Sequence, residues 1–267
     1  MDLGLKGLKA LVTGGTKGIG AAIALTLARE GADVAICARH ADEVTKSVAA
    51  LSALGVNAYG AAADVGDAAA LKAWVEASRI ALGGIDIVVA NVSALAIPNT
   101  EESWERGFQV DLMGTVRLVE AAMPSLEKSA HAAIVAISSV SGREIDFASG
   151  PYGAFKAAIV HYTQGLAYHL AGKRIRANTV SPGNTYFEGG VWNQIEHGNP
   201  QFFKEALALN PTGRMGTPQE MANAAVFLAS PAASFITGTN LVVDGALTKG
   251  VQLCACRHAT RIGDTPT

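Results

Sequence analysis

Leu8-Lys9-Ala10-Leu11-Val12-Thr13-Gly14-Gly15-Thr16-Lys17-Gly18-Ile19-Gly20, running into the helical stretch 21–29, is the segment whose reading decides the fold. A short apolar run, a glycine-rich turn and a helix start together make an anion site. Glycines let the backbone turn sharply and approach a pyrophosphate, and the helix N-terminus offers free N–H groups and a positive dipole. The spacing is G-x-x-x-G-x-G, which departs from the G-x-G-x-x-G dinucleotide fingerprint, so that fingerprint does not apply. The competing reading is a glycine-rich connection with no ligand.

Outward from this turn, short β-branched runs alternate with Ala-rich stretches. Strands are expected near 10–13, 33–38, 57–61, 85–90, 132–138, 176–180 and 240–243. Helices are expected near 18–30, 41–54, 67–82, 101–128, 151–171, 202–208 and 217–229. Fully apolar strands alternating with helices indicate a parallel sheet covered on both faces. The expected fold class is therefore α/β: a single-domain, Rossmann-like, doubly wound parallel sheet of about seven strands, with ligand groups at the strands' carboxyl ends.

The 267 residues are 49% hydrophobic with a formal net charge of −2, ample for a large core in one domain. Near-neutral charge gives no electrostatic case for nucleic acid or an anionic membrane. The longest apolar stretches are strand-length or amphipathic, so no membrane crossing is expected, and residues 1–9 lack a secretory signal. Three cysteines make no disulfide framework, which suits a cytoplasmic location. Cys254 and Cys256 lack the partners a zinc site needs, and no metal is expected.

A second constellation carries chemistry. Pro151 suits the first turn of a helix, which puts Tyr152 and Lys156 at i and i+4 on one face. A cation held beside a phenol favours the phenolate, so the tyrosine can pass a proton. Ser139, thirteen residues before Tyr152, follows the apolar run 132–138, and its hydroxyl can hold a carbonyl or alcohol oxygen. Ser138 points the opposite way by strand alternation, and Ser141 reads as a loop cap.

Thr13–Gly20, Asp64-Val65, Ser139, Tyr152-x-x-x-Lys156 and Pro182-Gly183 together resemble the short-chain dehydrogenase/reductase family over about residues 5–252. The resemblance to its 3-oxoacyl-[acyl-carrier-protein] reductase-like members implies a nicotinamide cofactor and Ser-Tyr-Lys chemistry, with Ser139, Tyr152 and Lys156 catalytic. It implies cofactor contacts from Gly14, Thr16, Lys17, Gly18, Ile19, Gly20, Arg39, Asp64, Val65, Asn91, Tyr152, Lys156, Pro182, Gly183 and Thr185. Ala38 stands where NAD-preferring relatives are acidic. Arg39 and Lys17 supply cations suited to a 2′-phosphate, so NADP(H) is the expected preference, with NAD(H) as the alternative.

Three positions depart from the family pattern. Asp111 replaces the fourth catalytic member, an asparagine whose backbone carbonyl holds a water against the lysine, and its carboxylate would favour the charged lysine. Asn91-Val92-Ser93 replaces Asn-Ala-Gly, and Phe187 stands where the family has threonine, with Thr185 two residues earlier. Residues 185–214, with Gly189-Gly190, Trp192, Phe202 and Phe203, resemble the substrate lid. His197 reads as a surface histidine. Residues 253–267 read as a mobile extension. The family also implies a homotetramer or homodimer through the long helices 101–128 and 151–171.

Three functions fit. The first is NADPH-dependent reduction of a ketone or 3-oxoacyl substrate, a small molecule, with Tyr152 as proton donor. The second is oxidation of a secondary alcohol, steroid or polyol. The third is a non-catalytic cofactor-binding regulatory protein.

Overall fold

The computed structural model describes residues 2–249; the expected extension at 253–267, with Cys254 and Cys256, lies outside the described residues. Seven strands form the sheet: β1 Lys9–Thr13, β2 Asp33–Ala38, β3 Ala58–Ala62, β4 Ile87–Ala90, β5 Ala133–Ile137, β6 Arg176–Pro182 and β7 Asn240–Val243. Their order is β3-β2-β1-β4-β5-β6-β7, every pairing parallel. The chain winds outward from β1 in one direction, then returns and winds the other way from β4. The β1–β4 boundary is thus the switch point, where an open parallel sheet leaves a crevice at its carboxyl edge.

Helices α1 Gly18–Arg29, α2 Ala41–Ser52, α3 Ala68–Leu82, α4 Glu101–Gly107, α5 Gly114–Leu126, α6 Pro151–Leu170, α7 Val191–Gly198, α8 Pro200–Ala208 and α9 Pro218–Ala229 follow in order. On one face of the sheet, α3, α5 and α6 bury Leu71, Trp74, Leu118 and Ile159 against β-strand residues such as Leu11 and Val88. On the other, α1, α2 and α9 bury Ile23, Leu27, Val44 and Val226 against Val12 and Ile36. Each such aliphatic side chain contributes about 1.5–3 kcal/mol. The indole of buried Trp74 donates to the Ile36 carbonyl at 3.1 Å, so its polar edge is not orphaned.

Two stretches differ from the sequence expectation. The helix expected over 101–128 is interrupted by a π-helical segment, Phe108–Met113, between α4 and α5. At its centre Asp111 is buried, and Thr115 Oγ1 donates to the Asp111 carbonyl at 2.7 Å. Widened turns of this kind re-aim a side chain, here Asp111, without ending the helix. The segment read as an aromatic lid holds two helices rather than one. In α7, Trp192 and Ile195 pack on Phe202 and Phe203 of α8, whose start is fixed by Pro200 and by Asn199 Oδ1 accepting from Phe202 N at 3.2 Å.

Candidate active site

All the sequence-predicted site residues except Asp111 line one cleft of about 920 Å³ at the carboxyl edge of the sheet. One end is the glycine turn between β1 and α1. Gly14 has φ +66°, and a Cβ on Gly20 would lie 2.2 Å from the Gly14 carbonyl oxygen. Asn91, just past β4, ties this turn down: its amide Nδ2 donates to the Thr13 carbonyl at 3.0 Å, and its backbone N donates to Thr13 Oγ1 at 3.0 Å. The α1 N-terminus has no side-chain cap and no acidic residue in its first turn. Its N–H groups therefore lack a side-chain acceptor, unlike those of α3 and α9, which Asp67 and Thr217 cap.

At the β2 edge of the cleft stand Ala38, Arg39 and His40. Arg39 is exposed and is in none of the ion pairs among the described residues. Lys17, expected as a second cation for a phosphate, is already paired: its Nζ lies 2.7 Å from Glu43 Oε1. That hydrogen bond holds the Glu43 carboxyl below the usual carboxylate range. Asp64 folds back to accept from Gly66 N at 2.9 Å, while neighbouring Val65 is buried.

At the other end, β5 delivers Ser138 and Ser139 with opposite orientations. Ser138 Oγ donates to the Lys156 carbonyl at 2.7 Å, pinning β5 to α6. Ser139 caps a short 3₁₀ turn over Val140–Gly142, accepting from Ser141 N at 3.1 Å. That turn lies directly on α6: a Cβ on Gly142 would lie 2.6 Å from the Lys156 carbonyl carbon. This close approach holds Ser139 beside the first turn of α6, which Pro151 opens and which carries Tyr152 and Lys156. Lys156 Nζ sits 5.6 Å from the Tyr152 ring centroid and donates to the Ile137 carbonyl at 3.1 Å.

Lys156 and Asp111, each only 2% exposed, form an ion pair at 3.2 Å. Asp111 Oδ1 faces the ammonium without hydrogen-bond alignment, while Oδ2 accepts from Ala94 N at 2.8 Å. The charge of a fully buried lysine thus has a fully buried counter-charge. Beyond them, Pro182 ends β6 and Gly183 N donates to the Val243 carbonyl at 2.9 Å. Thr185 is buried, and its hydroxyl donates to the Gly183 carbonyl at 3.0 Å.

A family model described as Enoyl-(Acyl carrier protein) reductase matches residues 14–248. The chain is 43% identical over 259 residues to Isoepoxydon dehydrogenase patN of Penicillium expansum, covering 94% of this chain and 99% of that protein. The chain belongs to the short-chain dehydrogenase/reductase family. Among solved structures of the family, a short chain dehydrogenase from Burkholderia cenocepacia in complex with NADP superposes with TM-score 0.81 at 31% identity, covering 91% of this chain and 98% of that one. A 7α-hydroxysteroid dehydrogenase complexed with NADH and 7-oxo glycochenodeoxycholic acid superposes with TM-score 0.85 at 30% identity, covering 92% and 96%.

The departures from the short-chain dehydrogenase/reductase pattern each have a structural consequence. The Asp111 side chain reaches the lysine, while its backbone carbonyl accepts from Thr115 Oγ1. Val92 packs against the core beside the glycine turn, where a smaller residue is usual. The Phe187 ring lies on the glycine turn, its Cζ 2.5 Å from where a Gly18 Cβ would stand. Among the cleft residues that were not anticipated are Glu43, Asp146 and Phe147. Asp146 Oδ2 accepts from Ser141 Oγ at 2.6 Å, and the Phe147 ring packs edge-on against Trp192 and Phe202 at centroid distances of 5.7 and 5.4 Å. Nothing in their spacing marks them; Glu43 sits in the first turn of α2, where an acidic residue reads as a dipole partner.

Proposed function

We propose that this chain interconverts a ketone and a secondary alcohol, working as an NADPH-preferring reductase that also accepts NADH. The carrying observation is that Ser139, Tyr152 and Lys156 line the same cleft as the uncapped glycine turn. The residues present fit a dinucleotide. Unsatisfied N–H groups at the start of α1 suit a pyrophosphate, and glycine at position 20, where a Cβ would meet the Gly14 carbonyl oxygen, lets α1 start close against the turn. Gly14, Thr16, Lys17, Gly18, Ile19 and Gly20 would hold the pyrophosphate side, Arg39 a 2′-phosphate, and Asp64 and Val65 the adenine. Asn91, Tyr152, Lys156, Pro182, Gly183 and Thr185 would hold the nicotinamide side. The absence of an acidic residue at Ala38, and the Arg39 cation, which is unpaired among the described residues, support NADPH.

When bound, the nicotinamide supplies or accepts the hydride. Tyr152 gives a proton to the substrate oxygen on reduction and takes it back on oxidation, help worth about 10²–10⁴-fold. Ser139 turns its hydroxyl from Ser141 to that oxygen, exchanging one hydrogen bond for another. Lys156 keeps two ammonium donors after the Ile137 carbonyl takes one, and these serve the proton path to Tyr152. Asp111 fixes the ammonium in position. The segment 185–214, through Trp192 and Phe202, closes the substrate side as a lid.

We also infer a homodimer or homotetramer formed through α4–α6, which carry exposed Trp104, Phe108 and Tyr168, and a cytoplasmic location; no described helix is long and apolar enough to cross a membrane. Incubation with a ketone panel and NADPH deuterated at the transferring carbon tests the reaction. Deuterium should appear on the carbinol carbon of the product, and its absence with every ketone would overturn the reading. Arg39→Asp should shift preference towards NADH; unchanged NADPH efficiency would remove Arg39 from cofactor choice.

A further inference from the structure

Asp146 belongs to no sequence motif, yet it stands in the wall of the cleft at the substrate end, with Ser141, Phe147 and Trp192. Its oxygens are only half used. Oδ1 accepts from Ala148 N at 2.8 Å and Oδ2 accepts from Ser141 Oγ at 2.6 Å. A carboxylate has about four lone-pair sites, so about two stay open. No cation neutralises it: Asp146 is in none of the ion pairs among the described residues, and neighbouring Arg143 pairs with Glu144. A half-satisfied carboxylate beside two aromatic rings penalises any substrate that covers it with apolar surface. The same group rewards a substrate that brings a hydrogen-bond donor.

Where that donor must lie follows from the hydroxyl chain. Ser141 has one proton, and the carboxylate takes it. The 3.2 Å contact between the two serines must therefore be Ser139 donating to Ser141. Asp146 is thus two hydrogen-bond steps from the oxygen proposed to hold the reacting carbonyl. A substrate held at Ser139 reaches the carboxylate with a hydroxyl on the adjacent or next-but-one carbon.

We propose that Asp146 is a specificity-determining residue that selects hydroxyketones and the matching diols over simple ketones and 3-oxoacyl thioesters. This rests on the ketone–alcohol reading above and narrows its substrate class. A hydrogen bond to a charged group, set against an uncovered carboxylate, corresponds to about 10–100-fold in kcat/KM.

The test compares 2-hydroxycyclohexanone with cyclohexanone, following NADPH consumption by the parent, Asp146→Asn and Ser141→Ala. The parent should favour the hydroxyketone by about 10–100-fold. Asp146→Asn should bring the two substrates to near parity, while Ser141→Ala, which leaves the carboxylate in place, should keep the preference. Turnover of cyclohexanone with no preference in the parent, or a preference that survives Asp146→Asn, overturns the inference and leaves the ketone–alcohol reading standing. Failure of every ketone sinks that reading instead. Intrinsic tryptophan fluorescence then decides the inference alone: 1,2-cyclohexanediol should bind the parent more tightly than cyclohexanol, and the difference should vanish in Asp146→Asn. Equal binding of the two by the parent overturns it.

Discussion

Replacing Asp111 by leucine removes the counter-charge of Lys156 while keeping side-chain volume. Both groups are 2% exposed and 3.2 Å apart, so little solvent screens them. At an effective dielectric of about 20, unit charges at that distance attract by about 5 kcal/mol. Desolvation offsets much of this in the intact pair, but breaking it leaves a buried ammonium alone, which costs about 3–5 kcal/mol. The Ala94 N–H also loses its acceptor, for about 1–3 kcal/mol more if no water replaces it. Asp111→Leu should therefore lose at least about 3 kcal/mol in equilibrium urea unfolding followed by far-UV circular dichroism at fixed protein concentration. The double variant Asp111→Leu/Lys156→Met separates charge from shape. If the stranded ammonium is the cause, the double variant is more stable than Asp111→Leu alone. A loss under about 1 kcal/mol in the single variant, or additive losses in the double, would refute the reasoning.

Other outcomes follow from the same geometry. Gly142→Ala should separate the Ser139 turn from α6, because its Cβ would sit 2.6 Å from backbone carbon of Lys156; kcat should fall while nucleotide affinity, measured by titration calorimetry, is retained. An unchanged kcat would show that the turn has slack. Arg214 and the Thr217 backbone hold the Glu220 carboxyl at about 2, below its ordinary 4.5. The folded value lies below the unfolded one, so Glu220's stabilising contribution is complete above the ordinary value and fades as pH falls towards the folded one. Glu220→Gln should flatten that acid limb of a stability–pH curve, and an unaltered limb would count against it. Burial pushes the Cys37 thiol up to about 12. Peptide mapping after iodoacetamide treatment of the native protein near neutral pH should find it unmodified, and modified once the chain is unfolded; native labelling would contradict its burial.

Much of this frame is legible in the residues because the strands are buried on both faces. Runs such as Val34–Cys37 carry no polar interruption and can be nothing but interior, and the motif residues fall at their ends. The register of Ser139, Tyr152 and Lys156 is equally local, set by Pro151 and by helical spacing. Less legible was what depends on contact between distant segments. The π-helical segment at Phe108–Met113 has ordinary helical composition, and what distinguishes it is that Asp111 meets Lys156 from another helix. Helix α7 contains Gly198 and follows Gly189-Gly190, so local preference argued for loop; burial of Trp192 against Phe202 and Phe147 overrides it. Lys17 reads as a free cation until α2 brings Glu43 across to it. Asp146 sits in a short loop before α6, and its link to Ser139 exists only through the folded Ser141 turn.

Proton transfer from the Tyr152 hydroxyl is the step on which the proposed chemistry turns, and the rate of NADPH oxidation by Tyr152→Phe with a ketone measures it most directly. The ring and its packing survive that change and the other cofactor-holding residues are untouched, so NADPH should still bind while kcat falls by about 10²–10⁴-fold. A variant that binds NADPH normally and turns over the ketone at the parental rate would contradict the account.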